Sequence, residues 1–167
     1  YGQPCFVINE VVILKSCTAP LMYLSCWADE EYAATYKADG LIIATPTGST
    51  AYNLSAGGPI AHAQLRALIV TPICPFMLES RPVLLSPGTR IVTNLMPPVS
   101  EIKIVADGRM TWDMRQDDFL VVEAAAKPLR LISSPHKGYF AILRRKLNWV
   151  RCDGGRPLPD AVRAAVS

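Results

Sequence analysis

The sequence predicts a mainly β domain of stacked sheets with few short helices. Three observations predict it. Short alternating or continuous apolar runs recur along most of the chain, separated by Pro, Gly, Asn and Ser. Helical spacing is confined to two places. Half of the 167 residues are hydrophobic and only 19% are charged, enough for a sizeable core and too apolar for disorder.

Taken in order, Phe6 to Lys15 alternates loosely and reads as a strand carrying Asn9-Glu10. Leu21 to Ala28 and Tyr32 to Tyr36 flank Asp29-Glu30-Glu31, a hairpin tip. Leu41 to Ala44 is uninterrupted apolar, as in a strand buried on both faces. A helix is expected over Ser49 to Ala56. Ala67 to Val70, Val83 to Leu85, Arg90 to Leu95 and Ile102 to Val105 are the next strands. Thr111 to Met114, Phe119 to Ala124 and Leu129 to Ile132 complete the β-rich part. Phe140, Leu143 and Leu147 have helical spacing, which predicts a helix over Tyr139 to Leu147. Residues 1–150 are read as one domain, and the Gly/Pro/Arg/Ala-rich residues 151–167 as a frayed tail. The chain opens on Tyr1 and is strand-like within a few residues, the pattern expected of a chain begun in mid-protein.

The most informative stretch follows the apolar strand: Thr45-Pro46-Thr47-Gly48-Ser49-Thr50-Ala51-Tyr52-Asn53-Leu54-Ser55-Ala56-Gly57-Gly58-Pro59. Hydroxyls crowd a helix start, where backbone N–H groups lack partners. Thr47 and Ser49 are expected to cap that helix. Gly57-Gly58 are expected to supply positive-φ freedom at its end, and Pro59 to stop it. An uncharged, hydroxyl-rich helix start with a Tyr one turn in suits a nucleotide, the amides facing polar edges and the ring facing the base.

Other chemistries find no support. His62 and His136 have no ligand spacing to Cys or carboxylates, so no metal site is expected. No Walker A Lys follows Gly48, no G-x-G-x-x-G follows a strand, and Ser49 lacks a G-x-S-x-G elbow. The net charge of +3 is mild, and Arg144-Arg145-Lys146 reads as a solvated helix face, so no nucleic-acid partner is expected. No apolar run approaches a membrane span, and no membrane partner is expected. The five cysteines show no C-x-x-C spacing, which fits a reduced cytoplasmic compartment with Cys26 and Cys74 as small core residues.

Several ordered segments resemble the C-terminal half of NAD kinases: Asn9-Glu10, Asp39-Gly40-Leu41-Ile42, residues 45–59, Thr71-Pro72-Ile73-Cys74-Pro75 with Arg81-Pro82, Asp107-Gly108-Arg109 and residues 143–149. Two departures stand out: Phe76 follows Pro75 where the family usually has His, and Arg109 stands where Gln is common. The resemblance implies a β-rich dinucleotide-binding lobe. Asn9 and Glu10 would line its site, Glu10 accepting from ribose hydroxyls, although edge-strand polarity explains the pair equally without it. Asp39 would lie near the nicotinamide carboxamide, against the alternative of a turn-forming Asp. Thr50, Ala51, Tyr52 and Ser55 are the nucleotide candidates in the loop: Tyr52 for the adenine face, Ser55 for the base edge, Ala51 by being small. Lys37 is a candidate phosphate contact, or else a solvated lysine. Asp107 is a candidate for the site or a subunit contact, or else a hairpin residue.

By the same resemblance the parent enzyme would phosphorylate the adenosine ribose 2′-hydroxyl of NAD to give NADP, with ATP or polyphosphate as donor. Its Gly-Gly-Asp-Gly-Thr loop, which carries the activating carboxylate, is not in this sequence. The donor site with Mg2+ would lie mostly in that other lobe, so no catalytic residue is expected in this chain and no activity from it alone. A homodimer or homotetramer is implied. Two alternatives remain: a non-catalytic dinucleotide-binding or oligomerisation module, and the C-terminal lobe of a related lipid kinase.

Overall fold

The computed structural model describes residues 4–132, 138–149 and 159–165. It separates into two compact units, Tyr1–Ala126 and Lys127–Ser167.

Among its described residues the first unit holds ten strands in two antiparallel sheets. They are β1 (Glu10–Lys15), β2 (Met22–Ala28), β3 (Glu31–Ala38), β4 (Gly40–Ala44), β5 (Leu68–Ile73), β6 (Val83–Leu85), β7 (Ile91–Met96), β8 (Ile102–Ala106), β9 (Met110–Met114) and β10 (Phe119–Val122). One sheet runs β6-β5-β4-β1-β8-β9 and the other β10-β7-β2-β3. The mainly β class read from the sequence is the class observed.

Strand periodicity explains how the sheets meet. Alternate residues of a strand face opposite sides. Ile13 of β1, Leu41 and Ile43 of β4, and Leu68 and Val70 of β5 join Leu24 and Cys26 of β2 and Ile91 and Leu95 of β7 in the main core. The intervening residues, Val12, Ile42, Ala44 and Ile69, form a second cluster with Ala61, against which Ala56 packs. The central strands β1, β4 and β5 of the larger sheet are therefore covered on both faces. Every residue of β4 is buried, as its uninterrupted apolar run predicts. Cys26 is buried as expected, and burial pushes its thiol up to about 11. Cys74 is not: it is exposed, at φ 45°, where the chain turns away after β5.

Three sequence-based assignments of helix and strand differ from the structure. The single helix expected over 49–56 is broken into a 3-10 turn, Gly48–Thr50, and a short helix α1, Tyr52–Ser55, with Ala51 between them at φ −100°, ψ −131°. Hydroxyl side chains compete for nearby backbone groups and interrupt helical bonding there. Residues 129–132 are not a strand, and Leu129, Leu131 and Ile132 are exposed; alternation alone does not make a strand without a hydrogen-bonded neighbour. Strands β1, β3 and β5 also begin or end several residues away from the sequence reading.

In the second unit, α2 (Tyr139–Leu147) occupies the expected residues. It buries Leu143 and leaves Phe140 exposed, and it ends on Asn148 in the left-handed region. Of the expected tail, residues 160–165 form α3 (Asp160–Ala165); residues 151–158, 166 and 167 lie outside the described residues.

Candidate nucleotide-binding site

The pairing of β1 with β4 sets Glu10 opposite Ala44 and Leu14 opposite Gly40. The Asn9-Glu10 end of β1 therefore meets the end of β4 from which residues 45–59 depart. Two bonds stitch them together: Thr45 N–H donates to Asn9 O (2.8 Å), and Thr45 Oγ1 donates to Ile8 O (2.6 Å). The contact is close enough to require glycine at 48, because a Cβ there would lie 2.1 Å from Asn9 O.

The loop is held from within by side chains the sequence reading passed over. Asn53 is completely buried. Its Nδ2 donates to Ser49 O and Pro59 O (both 3.1 Å), and its Oδ1 accepts from Thr71 Oγ1 on β5 (2.7 Å). Gly58 lies against this carboxamide so tightly that a Cβ would come within 2.1 Å of Oδ1. Of the glycine pair, only Gly57 has positive φ, 82°; Gly58 is required by close approach instead.

The expected caps are not made. Thr47 forms no capping bond, and the α1 N-cap is Ala51, which has no side chain to offer one. Ser49 Oγ turns inward, donating to Pro46 O (2.7 Å) and accepting from Ala61 N–H (3.0 Å), so it ties the loop together without capping it. Thr45 does what was expected of its neighbours, its Oγ1 accepting from Gly48 N–H at 3.1 Å. From another strand, the Glu10 carboxylate faces the Tyr52 N–H at the helix start, which favours its ionised form.

Glu10 is the most unusual group in the region. It is only 7% exposed, and its Oε2 has no hydrogen-bond partner among the described residues. Burial pushes its carboxyl above the ordinary range; the Asp107 carboxylate adds to the rise, and the Tyr52 N–H opposes it. Asp107 sits in the β8–β9 turn and accepts from Ile8 N–H (2.7 Å), Asn9 N–H (2.7 Å) and Glu10 N–H (3.1 Å).

The predicted residues thus fall into two groups. Asn9, Glu10, Asp107 and the loop bearing Thr50, Ala51, Tyr52 and Ser55 converge at one end of β1 and β4. Tyr52 is 41% exposed and Ser55 is exposed, so both are open to a ligand. Asp39 and Lys37 are not brought to this group. Asp39 immediately precedes β4, and its carboxylate faces Lys15 Nζ at 3.3 Å, at the opposite end of β1. With five residues of β4 between them, at ~3.3 Å per residue, the two ends lie roughly 17 Å apart. Lys37 Nζ lies over the Phe76 ring (4.4 Å to its centre) and the Tyr23 ring (5.3 Å). Phe76 also donates its N–H to Lys37 O. Two surface clefts, of about 290 and 400 Å3, are lined by residues of 94–102 and 113–119 and include none of these residues. Among the described residues no cluster of His, Cys, Asp or Glu could hold a metal ion.

Residues 8–134 match the family model of the ATP-NAD kinase C-terminal domain. The chain belongs to this family. Among curated NAD kinases it is 46% identical to that of Syntrophotalea carbinolica and 43% identical to that of Geotalea daltonii, in each case over 86% of this chain and 50% of the relative. The chain thus spans about half the length of the NAD kinases it matches. A crystal structure of an NAD kinase from Archaeoglobus fulgidus in complex with ATP superposes over 72% of this chain and 46% of that one, with TM-score 0.65 and 29% identity. A yeast NADH kinase complexed with NADH does so over 68% of this chain and 33% of that one, with TM-score 0.60 and 34% identity. The NAD kinase C-terminal fold therefore accounts for both sheets and for the loop they carry.

Proposed function

We propose that the chain is the dinucleotide-binding half of an NAD kinase, which transfers a phosphoryl group from ATP or polyphosphate to the adenosine ribose 2′-hydroxyl of NAD. One observation carries the reading: β1 and β4 bring Asn9-Glu10 against the hydroxyl-rich loop, and the buried Glu10 carboxylate keeps one oxygen without a partner among the described residues. A ribose hydroxyl is a donor of the kind such an oxygen lacks. The half-exposed Tyr52 ring offers a face to adenine, with Thr50, Ala51 and Ser55 beside it. Asp39 and Lys37 would take the other end of an extended dinucleotide.

Phosphoryl transfer depends on positioning and charge neutralisation more than on covalent chemistry. This half supplies the positioning. The donor, with Mg2+, and the activating carboxylate belong to a second lobe, and no step through the metal is assigned to these residues. We infer a homo-oligomer and a cytoplasmic location. Among the described residues no helix is long and apolar enough to cross a membrane. The edge strands β6 and β9 expose Val83, Leu84, Met110 and Trp112, surface available to a second copy.

Calorimetric titration of the chain with NAD tests the reading. Binding is expected, and Tyr52→Ala should weaken it at least about fivefold, the scale of one lost base–aromatic stack. A folded chain that binds NAD equally well with and without the Tyr52 ring would overturn the site assignment.

A further inference from the structure

The β8–β9 turn places Asp107 and Gly108 consecutively at positive φ, 47° and 64°, the geometry of a tight hairpin. Asn or Gly would serve such a turn as well as Asp does. The turn alone therefore leaves the Asp107 side chain unexplained. Its carboxylate reaches out of the hairpin to a segment near the start of the chain. Oδ2 accepts from Ile8 N–H, and Oδ1 accepts from both Asn9 and Glu10 N–H groups, while the Asp107 N–H donates to Glu10 O at 3.0 Å. Three donors on one carboxylate form a charge-assisted clip stronger than neutral pairs of the same length. It grips the backbone of the two residues that face the loop.

The clip also sets the electrostatics of the site. Around Glu10, β4 carries no ionisable residue. On β8 the sole charge is Lys103, whose ammonium is taken by Asp113 (3.0 Å) and Glu101 (3.9 Å). The turn after β8 also carries Arg109, which is exposed. From α1 come the Tyr52 N–H and its half-exposed phenol. Asp107 is left as the charge acting on Glu10.

We propose that Asp107 is a positioning residue for Asn9 and Glu10, fixing their backbone through three hydrogen bonds and placing a negative charge beside Glu10. The dinucleotide reading enters only in what Glu10 binds. As an acceptor of ribose hydroxyls Glu10 works ionised, so affinity rises with pH through its titration, and removing the Asp107 charge moves that titration to lower pH.

The test is NADH binding between pH 4.5 and 8, followed by fluorescence, for the 167-residue chain and its Asp107→Asn and Glu10→Gln variants, with the Glu10 carboxyl followed by NMR without ligand. Asp107→Asn is expected to weaken binding about tenfold at neutral pH and to move the midpoint down, and Glu10→Gln to remove the pH dependence. A uniform loss with an unmoved midpoint, or no loss, overturns the proposal and leaves Asp107 as a turn residue. If the wild-type chain does not bind NADH, the dinucleotide reading fails separately. The ligand-free titration then decides: an unmoved Glu10 midpoint in Asp107→Asn overturns the proposal, and a lowered one upholds it. Should that variant fail to fold, the wild-type amides decide. Ile8, Asn9 and Glu10 amide shifts that titrate together with the Asp107 carboxyl uphold the clip, and independent titration overturns it.

Discussion

Asn53 shows how much of the site depends on a side chain that need not touch a ligand. Its carboxamide has no exposure and makes three hydrogen bonds, to the two flanks of the loop and to Thr71. Asn53→Ala strands the Thr71 hydroxyl and the Ser49 carbonyl in the interior and frees the half-buried Pro59 carbonyl, and should cost about 3 kcal/mol, read as a lowered denaturation midpoint. The glycines divide in the same way. Gly48→Ala would drive a methyl into the Asn9 backbone, which cannot yield as a flexible side chain can. Gly57→Ala meets nothing within 4 Å and bears only the positive-φ penalty, about 1 kcal/mol. Urea titrations should therefore rank Gly48→Ala well below Gly57→Ala, and a reversed order would contradict the close approach. Glu10 gives a pH prediction. Its carboxyl titrates above the ordinary value in the fold, so the folded state holds a proton that the unfolded chain has released, and stability falls as pH rises between the two values. Glu10→Gln should remove that decline, leaving a flatter profile of stability against pH from the acid side to neutrality.

At the scale of elements, β4 is the pivot. Leu41 and Ile43 belong to the core between the sheets, while Ile42 and Ala44 support the loop from beneath. Ile43→Ala and Ile42→Ala should each cost about 2–5 kcal/mol by thermal denaturation. They should differ in amide exchange: Ile42→Ala is expected to loosen residues 45–59 selectively, and equal protection in both variants would contradict the two-faced strand. The uninterrupted run of Leu41 to Ala44 announced that arrangement, because burial on both faces leaves no polar alternation. The break at Ala51 was not legible. It arises because Thr45 and Ser49 find partners in Ile8 and Ala61, brought near only by the fold. Capping preferences describe a helix and its own neighbours, and here the hydroxyls are drawn to partners elsewhere in the fold. The Leu129 to Ile132 alternation misled for the converse reason, since a pattern describes a face and not a partner.

For the whole molecule, the family and the β class were legible because several ordered segments carry them and each holds its place under a local constraint. The Asn53–Thr71 bond, the Gly48 contact and the Asp107 clip were not legible, because each joins residues far apart in the chain and uses side chains that also suit ordinary turns. That Asp39 and Lys37 stand at the other end of β4 from Tyr52 follows from register, which single-sequence patterns do not fix. On the proposed function, this chain should bind NAD and form no NADP from ATP and Mg2+. A longer protein that adds a Gly-Gly-Asp-Gly-Thr lobe should restore turnover. Turnover by the chain alone would mean that it holds a phosphate-donor site of its own.

The clip joins Asp107 to residues 97, 98 and 99 positions earlier. β1 precedes the other strands of this unit in the sequence, yet it lies in the middle of its sheet, between β4 and β8. During synthesis it therefore waits with one edge unpaired until β8 has left the ribosome, long after its other neighbour, β4, is available to it. Loop closure over such a distance is slow, and an unpaired edge invites wrong partners meanwhile. A nascent chain arrested before Asp107 should hold most of its sheet but a slack Asn9-Glu10 segment. The proposed nucleotide site would then be among the last parts of this unit to set.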